Sequence, residues 1–352
     1  MPVPRLAGSA VVAVALAAAA LPATAAAKRP SQDVTVMSRN LYLGADIITG
    51  ALATDLEDEK RRATALLGVV HQTNFPVRAK AIAAEVRRTR PDLVGLQEVA
   101  MWRRTPDGVT NNVKDAKRVV YDFLGTLQRE LRARGLHYRA AVVQKEADFE
   151  VPTAGGFDIR LTMRDVILVR TGNGVKVRVR RALKGHFKTQ LAVPIPSGTI
   201  NSDRGWTAVD ARVGKRSFRF VNTHLEAYGG ELRDRQAHEL LRGPLASKRR
   251  QAILVGDLNS DPRDPAPEGL AFDTIAGAGF VDAFKVPPAT SGQAEKLDNP
   301  TSELERYIDH IMSRPALRTI STRVVGNRPS DRIAGLWPSD HAGTVATLRL
   351  RR

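Results

Sequence analysis

The chain has 352 residues, 43% of them hydrophobic and 26% charged, with a formal charge of +17 and no cysteine. Such a composition is globular and can bury a sizeable core, which excludes a disordered or fibrous chain; the missing cysteines exclude disulfide staples and thiolate metal sites. The positive charge predicts attraction to polyanions, nucleic acid and anionic membrane among them, and speaks to association rather than to fold.

Residues 1–27 read as a secretory signal peptide, in which Arg5 precedes an apolar, Ala-rich run from Ala7 to Leu21 that closes on Ala23, Ala25 and Ala27. The run is short for a membrane span. Its removal takes away only Arg5, leaves residues 28–352 at +16, and predicts a secreted protein.

Along the mature chain, VTVMSRNL (34–41) reads as a first strand, followed to about residue 73 by a polar stretch without a clear element. Pro76 opens a helix running to Arg88, with Ile82 and Val86 one turn apart and Pro91 beyond its end. The strand LVGLQEV follows. Val120, Phe123, Leu124, Leu127 and Leu131 then recur at helical spacing, with Gly135 in the capping position. YRAAVVQK, RDVILVR and VKVRVRR are strands, the last alternating Val with Lys/Arg, and LAVPIPSGTI (191–200) reads as a connecting loop. WTAVDAR and SFRFVNTH flank the turn VGKR as a hairpin, and QAILVGD, LERYIDHIMSR and TVATLRL complete the strands. Hairpins mixed with helical crossovers predict a single α/β domain, a four-layer sandwich of two packed mixed β-sheets flanked by helices.

Polar residues gather at the C-terminal ends of these apolar strands: Asn40, Glu98, Asn222 with His224, Asp257 with Asn259, Asp309, and Asp340 with His341. Each alone has an ordinary reading as a surface carboxylate, an Asx turn or a core histidine. As a set they are chemical, because the other strands end in Lys, Arg or Gly. Hard oxygen donors without thiolates suit Mg²⁺, Mn²⁺ or Ca²⁺, and two histidines with carboxylate company can move protons near neutral pH.

MSRNLYLG, PDLVGLQEV, FVNTHL, VGDLN, RYIDHI and SDHAGTVATL, in that order, resemble the successive motifs of the endonuclease/exonuclease/phosphatase superfamily over residues 33 to 350. Its members include pancreatic-type deoxyribonucleases, apurinic-site repair endonucleases, bacterial sphingomyelinases and inositol polyphosphate 5-phosphatases. The opening MSRNLYLGAD and the ending GLWPSDH are similar to those of an exported bacterial subgroup. The resemblance implies a metal-dependent phosphodiesterase using Mg²⁺ or Mn²⁺, with Ca²⁺ as the alternative. Carried onto this sequence, it makes Glu98 the principal metal ligand with Asn40 beside it, and Asp340 a second ligand or an orienting group. Asp257 and Asn259 would orient the attacking water and hold the phosphate. His341 would be the general base with Asp309 as its orienting carboxylate, and His224 would stabilise the transition state or protonate the leaving oxygen. One stretch departs from the family pattern, GGFDIRLTMRDVILVR (155–170). There Arg160 and Arg164 are the candidates for a missing phosphate contact, and Asp165 is either a further carboxylate of the metal cluster or the partner of a nearby arginine.

Nucleic acid is the leading substrate, on the basic stretches VKVRVRR (175–181) and SKRR (247–250). The alternative, a sphingomyelinase-like lipid phosphodiesterase acting at a membrane surface, calls for exposed aromatics where the chain has only 5%, though the apolar 191–200 stretch suits it. A phosphomonoesterase ranks lower, as does a non-catalytic binding protein, which would have lost one of Glu98, Asp257, His224 or His341. No protein partner is implied and a monomer is expected.

Overall fold

The structure is a computed structural model that describes residues 1–2, 32–111, 113–172 and 174–351. All but the first two residues of the expected signal peptide lie outside the described residues.

After β1 (Asp33–Asn40), the polar stretch that gave no clear element is largely helical, with α1 (Ile48–Ala51) and α2 (Leu56–Gln72). Asp55 caps α2 by accepting the Asp58 N–H at 2.8 Å, and Glu57, Asp58 and Glu59 fill its first turn, where the helix dipole favours acids. Ion pairs such as Lys60–Glu57 and Arg62–Asp58 make its outer face so polar that the buried Ala63, Leu67 and Val70 are easy to miss. Helix α3 (Phe75–Thr89) matches its prediction to one residue, with Pro76 in the first turn. Then come β2 (Leu93–Gln97), β3 (Met101–Arg104) and β4 (Arg118–Asp122). Val120 thus belongs to a strand, and α4 (Phe123–Ala133) begins only at Phe123, ending before Gly135 at φ +70°.

The long antiparallel pair β5 (Tyr138–Pro152) and β6 (Asp158–Arg170) precedes β7 (Val177–His186). Residues 191–200 do not form a plain loop: β8 (Leu191–Ile195) and β9 (Gly198–Ser202) make a hairpin that pairs only with itself. Its Leu191, Val193, Ile195 and Ile200 alternate with exposed residues, which is strand periodicity interrupted by two prolines. The predicted hairpin follows as β10 (Gly205–Val213) and β11 (Arg216–His224). The remaining elements are α5 (Gly230–Arg242), β12 (Ala252–Asp257), α6 (Leu270–Gly277), β13 (Val281–Asp282), β14 (Asp309–Arg314), β15 (Arg318–Val325) and β16 (Gly343–Arg349).

One sheet has the order β15-β16-β1-β2-β6-β3-β4, with β5 also on β6; the other runs β13-β14-β12-β11-β10-β7. Each is mixed, because β1/β2 and β11/β12 are parallel within otherwise antiparallel sheets. Val34, Val36, Leu93 and Ile167 of the first sheet meet Val209, Phe218, Phe220, Val255 and Ile311 of the second. The outer face of the first sheet buries Phe75, Ile82, Phe123 and Leu127 of α3 and α4, while the second buries Leu240 and Ile275 of α5 and α6. Four layers result, as predicted.

The register gathers the chemistry at one edge. Asn40 pairs with Gln97, the residue before Glu98, and His224 pairs with Asp257, which pairs with Asp309. The basic stretches lie at the other end. Arg181 pairs with Asp210, opposite Arg219, and residues 247–250 lead into Ala252, so both stand five strand positions from His224 or Asp257, roughly 16 Å.

Candidate active site

Two catalytic-edge residues emerge from their strands in backbone conformations that L side chains rarely adopt. Glu98 has φ +55° just after β2 and Asn259 has φ +50° two residues after β12, and backbone strain of this kind clusters where a side chain must be aimed. The aim is checked by hydrogen bonds. The Asn40 amide donates to Glu98 Oε1 at 3.0 Å and to Asp257 Oδ2 at 3.1 Å, and Leu43 N–H donates to Glu98 Oε2 at 2.8 Å. Asn259 N–H donates to Asp257 Oδ1 at 2.9 Å, and its side chain is tied to the Leu225 carbonyl.

His341 and Asp309 form a buried pair, Nδ1 to Oδ2 at 2.8 Å. The other ring nitrogen of His341, Nε2, lies 3.7 Å from Asp257 Oδ2 and 4.0 Å from Asp340 Oδ1. Burial alone would push this imidazole down, but Asp309, Asp340 and Asp257 together hold it well above its ordinary value. His224 approaches the same Asp257 oxygen from its own Nε2, at 3.5 Å. Eight of the nine residues singled out by sequence therefore stand at one edge: Asn40, Glu98, His224, Asp257, Asn259, Asp309, Asp340 and His341. Asn222 does not join them. It bridges the sheets, accepting from Gln97 Nε2 at 2.5 Å and donating to the Leu96 carbonyl.

Sequence reasoning missed Arg204. Buried between the sheets, it donates from Nη1 to His224 Nδ1 at 2.7 Å and pairs with Glu226 at 3.5 Å. A guanidinium can only donate, so Nδ1 must be the bare acceptor and the ring proton sits on Nε2. Burial first, then Arg204 and His341, push the His224 pKa well below its ordinary value. No motif marks Arg204, because it precedes β10 in the connection SDRGW and meets His224 only through the pairing of β10 with β11.

The stretch that departs from the family pattern has a structural use. Arg160 is clamped on Asp148 and Arg164 on Asp122 and the carbonyls of Val99 and Ala100, so neither is directed to a phosphate. Asp165 is buried behind the site, and Glu146 joins it from a bulge in β5. Burial lifts both carboxyls well above the usual range; Asp165 raises Glu146 further, and Arg204 opposes the rise in each. Three buried arginines hold the loops that carry the site. Arg39 pairs with Glu85 and donates to the His341 carbonyl, Arg78 joins the carbonyls of Leu41 and Pro338, and Arg233 those of Glu226 and Asn259.

The donor set fits a hard divalent cation. Burial, then Asp340 and Asp257, raise Glu98 to about 7, although His341 and Asn40 oppose the rise. Burial and Asp309 raise Asp257 to about 6, and burial raises Asp340 as well. Carboxylates crowded this way are short of positive charge, and Asp309 Oδ1 is buried without a hydrogen-bond partner. Among the described residues, the tightest group of ligand-type atoms is Asp257, Asp309 and His341, all within 4.8 Å of one another. The His341–Asp309 bond already occupies that group, so Glu98 and Asp340 offer the further carboxylate oxygens, while Asn40 turns its amide nitrogen to Glu98 and its oxygen to the Tyr42 N–H at 2.8 Å.

The fold recurs in known proteins. The chain is similar in fold to an endonuclease/exonuclease/phosphatase family protein from Bacteroides thetaiotaomicron, with 18% identity and a TM-score of 0.56 over 92% of this chain and all of that one. It is also similar to the mannosyl-6-phosphatase Bt3783 of the same organism, with 20% identity and a TM-score of 0.53 over 90% and 99%. A third similar structure is D. rerio TDP2 complexed with a single-strand DNA product, with 16% identity and a TM-score of 0.53 over 90% and 98%. No curated protein matches. The sequence profile of the Endonuclease/Exonuclease/phosphatase family, however, matches residues 71–341, a span that runs from α2 to the candidate base His341, and with the motifs and the strand-edge site in agreement the chain belongs to that family.

Proposed function

We propose that this chain is a secreted, metal-dependent phosphodiesterase in which a water activated by His341 attacks phosphorus in line with the departing ester oxygen. The observation that carries this reading is the His341–Asp309 pair, bonded at 2.8 Å and facing Asp257 beside a carboxylate cluster deficient in positive charge. Glu98, with Asn40 and Asp340, would hold Mg²⁺ or Mn²⁺, or Ca²⁺ in their place. When bound, such an ion neutralises phosphoryl oxygens as a Lewis acid and offsets the carboxylates that keep His341 protonated. Asp309 accepts a hydrogen bond from Nδ1–H, leaving Nε2 to take the proton of the attacking water. Asp257, steadied by the Asn259 N–H and the Asn40 amide, accepts a hydrogen bond from that water and sets its direction. His224 keeps its Nε2 proton and donates it as a hydrogen bond to the phosphoryl oxygens as their charge grows. A water O–P bond forms and the ester P–O bond breaks; the leaving oxygen takes a proton from solvent, and His341 returns to solvent the proton it took from the attacking water.

Export is supported by the signal-like residues 1–27. Nucleic acid as substrate is supported by the +17 charge and by the DNA product in the similar TDP2 structure. The basic stretches at 175–181 and 247–250 add little to it, because they stand at the edge remote from the site. A second reading, a phosphodiester with an apolar ester group, is supported by the apolar cleft described below. The deciding experiment incubates purified protein with plasmid DNA, RNA, sphingomyelin, bis(p-nitrophenyl) phosphate and the monoester p-nitrophenyl phosphate, with Mg²⁺ or with EDTA. Cleavage of a diester that stops in EDTA is expected. Activity on monoesters alone, or undiminished activity in chelator, would overturn the proposal.

A further inference from the structure

Beside the site lies a cleft with two lobes. Ile47, Phe149 and Ile200 line both; one lobe adds Trp102 and Leu161, and the other adds Met163 and reaches Arg204, Glu226 and Tyr228. Its roof is the β8–β9 hairpin, whose inward Leu191, Val193 and Ile200 are only half-buried. The roof is pinned at both ends by serine–glutamate bonds. At the tip, Ser197 N–H and Oγ donate to Glu59, at 2.8 and 2.5 Å; at the base, Ser202 Oγ donates to Glu226 Oε2 at 2.6 Å. A hairpin held open in this way over apolar walls is a built cavity, since an unsupported one would close onto the core.

The cleft is continuous with the site. Arg204 forms part of its wall and at the same time bonds the ring of His224. Tyr228, 44% exposed, stands on its wall close enough to Glu98 to feel that charge. Its two carboxylates are already engaged, Glu59 by Ser197 and Glu226 by Ser202 and the Ala227 N–H. A base or sugar placed there would lose its hydrogen bonds to water and find few replacements, whereas a hydrocarbon loses none. We propose that this cleft is the subsite for one ester group of the substrate, and that the group is a hydrocarbon chain. The inference rests on the phosphodiesterase reading and names the class of one of the two esters.

The test is a series of methyl n-alkyl phosphates, with alkyl from ethyl to octyl, incubated with the full chain and Mg²⁺ and followed by phosphorus NMR. Each methylene that enters the cleft should raise kcat/KM roughly two- to fourfold until the cleft is full. In Val193→Trp, which fills the cleft from its half-buried roof, the octyl-to-ethyl ratio should fall toward one. Independently of turnover, octyl phosphate should bind the wild-type protein at least about tenfold more tightly than methyl phosphate by titration calorimetry. If no diester is hydrolysed while octyl phosphate is still preferred, the reaction is wrong and the cleft stands. Hydrolysis with a flat chain-length profile and equal binding of the two monoesters overturns the cleft inference alone.

Discussion

His341 and His224 are both buried, and both bring Nε2 within 4 Å of the same Asp257 oxygen. They differ in what stands behind them. Asp309 backs the first at 2.8 Å and Arg204 the second at 2.7 Å. A carboxylate on Nδ1 makes a ring that binds a proton readily and can act as a base; a guanidinium there makes one that keeps a single proton on Nε2 and resists a second. The two proposed roles thus differ through the partner on the far nitrogen, while the residue type is the same and the distances to Asp257, 3.5 and 3.7 Å, are close.

The largest expected break in this comparison comes from the base side. His341→Ala should lower kcat by about 10² to 10⁴, Asp309→Asn by a similar order, and the double variant little more than His341→Ala alone, because the pair acts as one unit. Steady-state kinetics at saturating Mg²⁺ check this; losses that multiply would mean that the two act separately. Next in size is the donor side. Arg204→Met should lower kcat roughly tenfold to a hundredfold, and Arg204→Lys, which retains a donor, should recover part of the loss. Nitrogen-15 NMR of the imidazoles should find His224 of the wild type as the Nε2–H tautomer, and an Nδ1–H signal would refute the assignment. Any loss of stability in Arg204→Met, which leaves Glu226, Glu146 and Asp165 without their cation, is read separately by denaturation.

The smallest effect, and the sharpest contrast, is in stability against pH, measured in chelator. Folding lowers the His224 pKa, so below about 6.5 the unfolded chain takes a proton that the native state refuses. Its contribution is present above that pH and is lost as the pH falls. Folding raises the His341 pKa, so its contribution is complete below about 6.5 and is lost as the pH rises through the folded value. Denaturant midpoints from about pH 5 to 9 should therefore show His224→Gln with a shallower acid-side decline than wild type, and His341→Gln with a shallower alkaline-side decline. Parallel curves for all three proteins would mean that the rings titrate as they do in the unfolded chain.

Of this pair, only the base was legible in the sequence together with its partner. Asp309 and His341 fall in motifs, as do Glu98, Asp257 and Asn259, but only the last three stand at or just past the C-terminal ends of strands as expected: Asp309 opens β14 and His341 precedes β16, and antiparallel pairing turns those N-terminal ends to the same edge. Arg204 has no such signal: its role comes from one antiparallel pairing, and a sequence cannot say which of 54 Lys and Arg residues is buried. The four layers were legible because β2 and β12 are short continuous apolar runs, as strands buried on both faces are, and α4 keeps a period-3.6 stripe. Helix α2 was not, since its core stripe is short and its surface highly charged, and the β8–β9 hairpin was hidden by Pro194 and Pro196. The basic stretches were read correctly as exposed, but their distance from the site depends on register, which composition does not carry.

Gly95 and Gly256 look incidental in that sequence, yet each marks a close approach of backbone. A Cβ at Gly95 would stand 2.4 Å from Asn222 Oδ1, and one at Gly256 would stand 2.0 Å from the Thr223 carbonyl. Gly95 is what lets Asn222 reach across to the first sheet and bond Leu96 and Gln97 there. The sandwich is therefore riveted through its middle near the edge where Asn40 and Glu98 of one sheet must meet His224, Asp257 and Asp309 of the other. Seen as a pattern of hydrogen exchange, backbone amides beside that rivet should be among the last to trade with solvent, and those of the arginine-rich edge strand β7 among the first.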